Sequence, residues 1–193
     1  ERDELVASVR SEAERLSAMV EKLLDVSRLQ GGVAEPRRDW VSIEEVVRAA
    51  AEGLGEERFD LSLDPDLPLL RADAVQLERA LANVLENSAR YSGGHPVSVR
   101  ARAVGHRMVI RVVDRGPGIP TEERERVFEP FHRGADGHGG SGLGLAIVRG
   151  FIEANGGRVW VESLPSQGTV FVIELPLPAR DAAPAADEAP AAG

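Results

Sequence analysis

Asn83 and Asn87 stand four residues apart in the stretch NVLENSARYS, with Arg90 three residues further on and Tyr91 directly after it. Asparagine is a poor helix former because its amide competes with the backbone for hydrogen bonds. A four-residue spacing puts both amides on one face of a helix, so the pair calls for a ligand. Amide oxygens suit a hard cation such as Mg²⁺, which keeps several waters and bridges substrate phosphates. An arginine one turn on can pair with phosphate, and a tyrosine can stack on a ring. Glu86, one position off this face, reads as a solvated or water-positioning residue. The plainer alternative is a solvent-facing polar stripe opposite Leu77, Leu81, Val84 and Leu85.

Two glycine-containing segments add to this. In VVDRGPGIP, Asp114 ends a run apolar enough to be a buried strand, and a buried carboxylate needs hydrogen-bond donors. The exocyclic amine of a purine supplies one, with Gly116 and Gly118 clearing space for a flat ring and Ile119 forming an apolar wall. An ordinary Asp–Gly turn explains the same letters. In GGSGLGLAIVRG, Gly139, Gly140, Gly142 and Gly144 allow close approach of the backbone to a ligand, and the helix that follows offers unpaired N–H groups to an anion. The segment is neither G-x-x-x-x-G-K-[ST] nor G-x-G-x-x-G, so the P-loop and dinucleotide-binding mechanisms are not supported. A flexible surface loop accounts for it equally well in isolation.

These residues must be held by a framework, and the periodicity supplies one. Ser42 with Glu45 forms a capping-box signature that opens a helix through about Glu52, and Asp73 with Gln76 caps the helix that carries both asparagines. RFDLSL and PLLRA are strand candidates. PVSVRARAV and RMVIRVVD alternate and are joined by GHR as a hairpin. A charged short helix near TEERERVF, a helix from LGLAIVRGFIEANGG and two closing strands, RVWVES and GTVFVIEL, complete the order. The expected fold is α/β, one mixed sheet with helices on one face. Ahead of it, Leu5, Val9, Leu16, Met19, Leu23 and Val26 alternate steps of four and three except at Glu12, a coiled-coil-like seam on a long helix that stands apart and needs a partner helix.

Composition narrows the function. Of 193 residues, 42% are hydrophobic, enough for a sizeable core, and a net charge of −9 argues against sequence-independent nucleic-acid binding. The absence of cysteine excludes disulfides and thiolate metal sites. No apolar run approaches the roughly 20 residues that span a bilayer, and no signal peptide opens the chain, so a cytoplasmic location is expected. Ala/Pro-rich, acidic residues 179–193 are expected to be disordered.

The series NVLENSARYS, DRGPGIP, FEPFHRG, GSGLGLAIV and GTVFVIELP resembles, in order, the Asn box, first glycine box, Phe box, second glycine box and closing Thr-containing strand of the sensor histidine kinase ATP-binding domain. EAERLSAMVEKLLDVSRLQGG is similar to the second helix of that family's dimerisation and phosphotransfer hairpin. RRDWVSIEEVV and AIVRGFIEANGGRVWVES are similar to the potassium-responsive KdpD-type kinases. The resemblance implies a two-layer α/β sandwich of the kind shared with gyrase, Hsp90 and MutL, with ATP and Mg²⁺ as cofactors. It implies Asn87 as chief Mg²⁺ ligand with Asn83 assisting, Arg90 on phosphate and Tyr91 against the nucleotide. Asp114 would accept the adenine amino hydrogen, bordered by Gly116, Gly118 and Ile119. Phe128 and Phe131 would anchor a lid, Arg133 would reach phosphate, Gly142, Leu143 and Gly144 would meet the triphosphate, and Thr169 would lie near adenine. The lid's glycines imply mobility without nucleotide.

None of the four histidines, His95, His106, His132 and His138, carries the acidic residue and Pro-Leu pattern of the family's phosphoacceptor. The acceptor is therefore expected upstream of Glu1, with this chain cut inside the hairpin and able to bind ATP without phosphorylating itself in cis. His132 and His138 read as exposed loop residues. The implied organisation is 1–32 as the partial hairpin, 33–40 as linker, 41–178 as the ATP-binding domain and 179–193 as tail. Implied partners are a response regulator receiver domain and a second copy through the N-terminal helix, with no nucleic acid, and membrane contact only through upstream segments of a membrane-anchored parent. The rivals are a gyrase- or MutL-like ATPase, which uses a Glu as base where Asn83 stands, a non-catalytic nucleotide-sensing dimerisation module, and an anti-sigma-type serine kinase, which lacks the long helix.

Overall fold

The computed structural model describes residues 2–31, 35–133, 141–163 and 166–178. The expected disordered tail, and residues 134–140 of the expected lid with His138, Gly139 and Gly140, lie outside the described residues.

A five-stranded sheet positions the site. Its strands are β2 (Phe59–Leu63), β4 (Val97–Val104), β5 (Arg107–Asp114), β6 (Arg158–Ser163) and β7 (Thr169–Pro176), in the order β2-β4-β5-β7-β6. Strand β2 runs parallel to β4, and the other neighbours are antiparallel, so the sheet is mixed as expected. The 2-residue period decides which side is core. Val97, Val99 and Ala101 of β4, Met108, Ile110 and Val112 of β5, and Phe171, Ile173 and Leu175 of β7 are all buried. The opposite face carries Arg100, Arg102, Arg111, Trp160, Glu162 and Glu174, with the Arg111–Glu162 ion pair at 2.6 Å.

Three helices cover the apolar face: α2 (Ile43–Glu52), α3 (Ala74–Tyr91) and α4 (Gly144–Ala154). Both expected N-caps form. Ser42 Oγ accepts from Glu45 N at 3.4 Å and Asp73 Oδ1 from Gln76 N at 3.1 Å, each satisfying an otherwise orphaned N–H. Leu77, Ala80, Leu81, Val84, Leu85 and Ser88 make the buried stripe of α3. At about 1.5–3 kcal/mol for each large side chain, this burial outweighs the poor propensity of two asparagines. A second knot ties α3 to α4, because buried Asn155 donates through Nδ2 to Gln76 Oε1 (3.0 Å) and accepts from Asp73 N (2.8 Å).

Three expectations are corrected. The stretch near Thr121 forms two short 3₁₀ turns, Thr121–Glu123 and Arg126–Phe128, because only Phe128 in them is buried and nothing else repays ordering a longer helix. Asp39–Val41, overlapping the end of the expected linker, is strand β1 and pairs antiparallel with β3 (Leu70–Ala72) in a separate two-stranded sheet. Finally, α1 (Arg2–Gln30) does not stand apart. Lys22 Nζ donates to Glu86 Oε2 at 2.9 Å, Arg79 Nη1 to Asp25 Oδ1 at 2.7 Å, and Val26 is buried. Leu29 fills the space over Gly150, where a Cβ would come within 2.5 Å of its Cδ1. The docking contacts come from the turns nearest the linker, whereas Leu5, Val9, Leu16, Met19 and Leu23 remain exposed. Among the described residues no helix is long and apolar enough to cross a membrane.

Candidate functional site

Strand β5 ends on Asp114, which is 3% exposed. Its Oδ1 accepts from Gly116 N at 2.8 Å and from Thr169 N at 3.1 Å, so Oδ2 remains an acceptor without a backbone donor among the described residues. Burial pushes this carboxyl above the usual carboxylate range, and the hydrogen bonds from Gly116 and Thr169 partly oppose that. The Ser88 hydroxyl on α3 lies near enough to act in the same direction, yet it makes no hydrogen bond of normal geometry and its Oγ is fully buried. We therefore count the two backbone donors as the carboxylate's supports and Ser88 as a polar neighbour. A buried acceptor without a backbone donor suits a donor on a planar ligand.

The turn after Asp114 is shaped by contacts the sequence alone could not place. A Cβ at Gly116 would lie 2.8 Å from Tyr91 O and 2.9 Å from Asp114 Oδ1, so this glycine lets the turn lie against the end of α3 rather than clearing room for a ring. Gly118 has φ +79°, and Ile119, half-buried against the core, donates its N–H to Ser163 Oγ at 2.8 Å. Ser166 N donates to Pro117 O at 2.6 Å, binding the β6–β7 turn to the same loop. Gly168, at φ +81°, is confined to glycine, since a Cβ there would meet Asp114 O at 2.1 Å.

Against this turn, α3 presents its polar stripe. Asn83 donates Nδ2 to Arg79 O at 2.8 Å, while its Oδ1 is buried without a hydrogen-bond partner among the described residues and faces Gly144, where a Cβ would lie 3.0 Å away. The Asn87 side chain is half-buried and makes no hydrogen bond among the described residues. Two unpaired amide oxygens on one stripe are hard donors without competing protons, a set that fits Mg²⁺ sharing its shell with water and phosphate. Arg90 is tied to Glu86 at 2.9 Å, and Glu86 also takes Lys22. Glu86 is thus an ion-pair hub whose side chain is still partly in solvent, and Tyr91, at the last position of α3, is exposed.

The third wall is the start of α4. Leu143 stands at its N-cap with no side-chain cap, and the first intrahelical bond is Ile147 N to Leu143 O at 3.0 Å. The N–H groups of Gly144, Leu145 and Ala146 precede that bond and have no intrahelical acceptor, which with the helix dipole makes an anion-binding end. The Leu143 side chain is wholly buried, so only its backbone can face a ligand. Gly142, at φ +69°, accepts from Phe131 N at 2.9 Å, and a Cβ there would lie 2.8 Å from Phe131 C and from His132 O. This contact ties the Phe131–His132 backbone to the approach to α4.

Phe128 is buried beneath the Arg149 guanidinium, 4.6 Å from the ring centre, as an anchor should be. Phe131 is 64% exposed and anchors only through its backbone, because its φ of +65° turns the ring outward. His132, expected to be exposed, is half-buried, with Nε2 3.9 Å from Glu123 Oε2. Arg133 is exposed, as are His95 and His106. A separate cavity of about 150 Å³ lined by Glu57, Arg58, Ala89, Gly94, His95 and Pro96 is too small for a nucleotide and includes none of the site residues above. Sequence reasoning missed Ser163, Gly168 and the docking pair Asp25–Arg79. Gly168 carried a signal, a glycine just before a strand opposite a buried aspartate, whereas a lone serine ending a strand carried none.

A mixed sheet under three helices, with a buried aspartate and a glycine-led helix start both set against one amide-bearing helix, defines an ATPase-type α/β sandwich. The chain belongs to the histidine kinase-, DNA gyrase B-, and HSP90-like ATPase family, whose sequence model matches residues 72–179, more than half of its length. Within that family it falls with the catalytic domains of sensor histidine kinases, the KdpD type included. It is 37% identical over 185 residues to the sensor protein KdpD of Mycobacterium tuberculosis, covering 91% of this chain and 22% of that protein. A mycobacterial sensor histidine kinase, MprB, superimposes with a TM-score of 0.66 at 34% identity, over 74% of this chain and 99% of that one. Full-length ShkA in complex with AMPPNP gives a TM-score of 0.79 at 31% identity, over 89% of this chain and 38% of that one. The chain thus spans about a fifth of the length of its KdpD relative.

Proposed function

We propose that this chain binds Mg²⁺-ATP and supplies the catalytic domain that transfers the γ-phosphoryl group to a histidine lying outside it, from which a response regulator aspartate receives it. The observation that carries this reading is Asp114, a carboxylate 3% exposed whose Oδ1 is held by two backbone N–H groups beside Ser88 of α3. In this reading Oδ2 accepts the adenine amino hydrogen, with Thr169, Ile119 and the Gly116–Gly118 turn around the base and Tyr91 against the nucleotide. Asn87 holds Mg²⁺ with Asn83 assisting, Arg90 and Arg133 take phosphate, and Gly142, Leu143 and Gly144 offer backbone N–H groups to the triphosphate. For Arg90 this requires exchanging Glu86 for the ligand. Bound Mg²⁺ supplies charge neutralisation at the phosphates. The rest is positioning, which is what phosphoryl transfer asks of a protein.

The same reading assigns 1–32 to the second helix of a dimerisation and phosphotransfer hairpin shared with a second copy, supported by the exposed seam of α1. The catalytic fold then extends to 178 and begins at Asp39, where β1 opens, two residues earlier than the sequence suggested. It places the domain in the cytoplasm, where ATP is, with any membrane anchor in segments outside this chain. Calorimetric titration with Mg²⁺-ATP tests it: micromolar binding that Asp114→Asn and Asn87→Asp abolish is expected, and unchanged affinity in both variants would overturn the assigned roles. Steady hydrolysis with no histidine acceptor present would favour the gyrase-like reading instead.

A further inference from the structure

Asp114, Thr169 and Ser163 form one row across three strands. Asp114 is the register partner of Thr169 in the β5–β7 ladder, and Ser163 is the partner of Thr169 in the β6–β7 ladder. All three are buried, at one end of the sheet. Ser163 is the only one of the row to which the proposed nucleotide reading gives no part, yet its hydroxyl is the most heavily used. Oγ donates to Gly168 O at 2.7 Å, accepts from Ile119 N at 2.8 Å and lies 3.4 Å from Thr169 Oγ1. Its carbonyl oxygen accepts from Arg124 Nη2.

The proton count settles the direction of these bonds. A serine hydroxyl has one hydrogen and two lone pairs. Ser163 spends its hydrogen on Gly168 O, so towards Ile119 N and towards Thr169 Oγ1 it can only accept. Thr169 must then be the donor of the Ser163–Thr169 contact, and its own oxygen is left to present lone pairs. In the nucleotide reading, Asp114 Oδ2 and Thr169 Oγ1 then both turn lone pairs towards the 6-substituent of the base. That pair takes a 6-amino donor and leaves the oxygen of a 6-oxo purine without one.

We propose that Ser163 is a specificity-determining positioning residue: by fixing the Thr169 proton and the 114–119 turn, it makes the site accept 6-amino and reject 6-oxo purine triphosphates. The inference rests on the nucleotide reading above. Without the Ser163 hydroxyl, Thr169 O–H is free to turn and donate to a 6-oxo group, and Ile119 N–H loses its acceptor.

The experiment compares affinities for ATP and inosine triphosphate, which differ in this group, by calorimetry in the wild type, Ser163→Ala and Ser163→Thr, with amide hydrogen exchange at Ile119 measured without nucleotide. The expected result is that S163A weakens ATP about tenfold with inosine triphosphate unchanged or tighter, that S163T restores the preference, and that Ile119 exchanges faster in S163A alone. Equal weakening of both nucleotides, or no change in either, overturns the proposal, because a merely structural serine would not move the ratio. A wild type that binds neither nucleotide sinks the functional reading itself and this inference with it. Should S163A not fold, Ser163→Cys keeps the volume but accepts hydrogen bonds poorly, and it carries the same comparison.

Discussion

Thr169 N donates to Asp114 Oδ1 at 3.1 Å across the β5–β7 ladder, so a backbone group of one strand aims the carboxylate of the next. The bond explains how a carboxylate can sit at a sheet end with 3% exposure. Two N–H donors on one oxygen compensate much of the burial, and the second oxygen is directed rather than free to rotate.

Binding and stability separate at this residue. In Asp114→Asn, Oδ1 can still accept from Gly116 N and Thr169 N, but a donor replaces the acceptor at Oδ2. ATP affinity is expected to fall about 100-fold or more, while the melting temperature at neutral pH stays level or rises because a buried charge is gone. Calorimetric titration and thermal unfolding check the two halves. A large loss of stability would show that the carboxylate is structural.

The pH dependence follows from the raised Asp114 pKa. Folding favours the protonated form, so this group adds stability below its unfolded pKa, and that contribution is lost as pH rises through its folded pKa. The ionised form is the better acceptor for an amine, so ATP affinity should move the other way, falling as pH drops through the raised pKa. Titrations across the acidic range in the wild type and in D114N measure this, and the variant is expected to lack the Asp114 component of the slope.

At Asn87, the amide makes no hydrogen bond within the described residues. Asn87→Ala should therefore change stability by no more than about 0.5 kcal/mol. Its effect is expected on metal-dependent binding, with affinity for Mg²⁺-ATP down about 10- to 100-fold and affinity for ATP in excess chelator unchanged. Loss of both in parallel would mean that Asn87 contacts the nucleotide rather than the metal.

Gly142→Ala places a side chain at φ +69° and a Cβ 2.8 Å from Phe131 C and His132 O. The left-handed conformation alone costs about 1–2 kcal/mol, and the clash adds to it. We expect a lower melting temperature together with weaker ATP binding, since the contact with Phe131 sets the approach to the start of α4. Normal binding in a destabilised G142A protein would separate that contact from the site.

For α1, docking should be local and separable. Asp25→Ala combined with Leu29→Ala removes an ion pair with Arg79, whose side chain is 44% exposed, and the apolar contact over Gly150. Partial exposure limits the ion pair to about 1 kcal/mol or less. Amide exchange should quicken across residues 22–30 while protection in β5 and β7 is retained. Protection lost throughout would show that α1 is integral to the catalytic core.

Much of this protein was legible in its letters because the signals were local. Strand alternation in β4 and β5, the Ser42 and Asp73 caps, and the four-residue spacing of Asn83 and Asn87 all follow from periods of two and 3.6 and from single hydrogen bonds within three residues. Elsewhere local reading failed, for instance at Phe131, whose aromatic ring suggested burial and whose positive φ turns it to solvent, and at Glu86, whose partner Lys22 is sixty-four residues away.

By itself the sequence determined the elements, their order, the apolar face of each, and the residue types able to hold a nucleotide. Only the tertiary structure decided that Ser163, Thr169 and Asp114 share a row, that Gly116 and Gly168 are small to let backbones approach, and that α1 rests on α3 and α4. Those relationships join residues on different elements and depend on register and close packing, which no period along a single chain encodes.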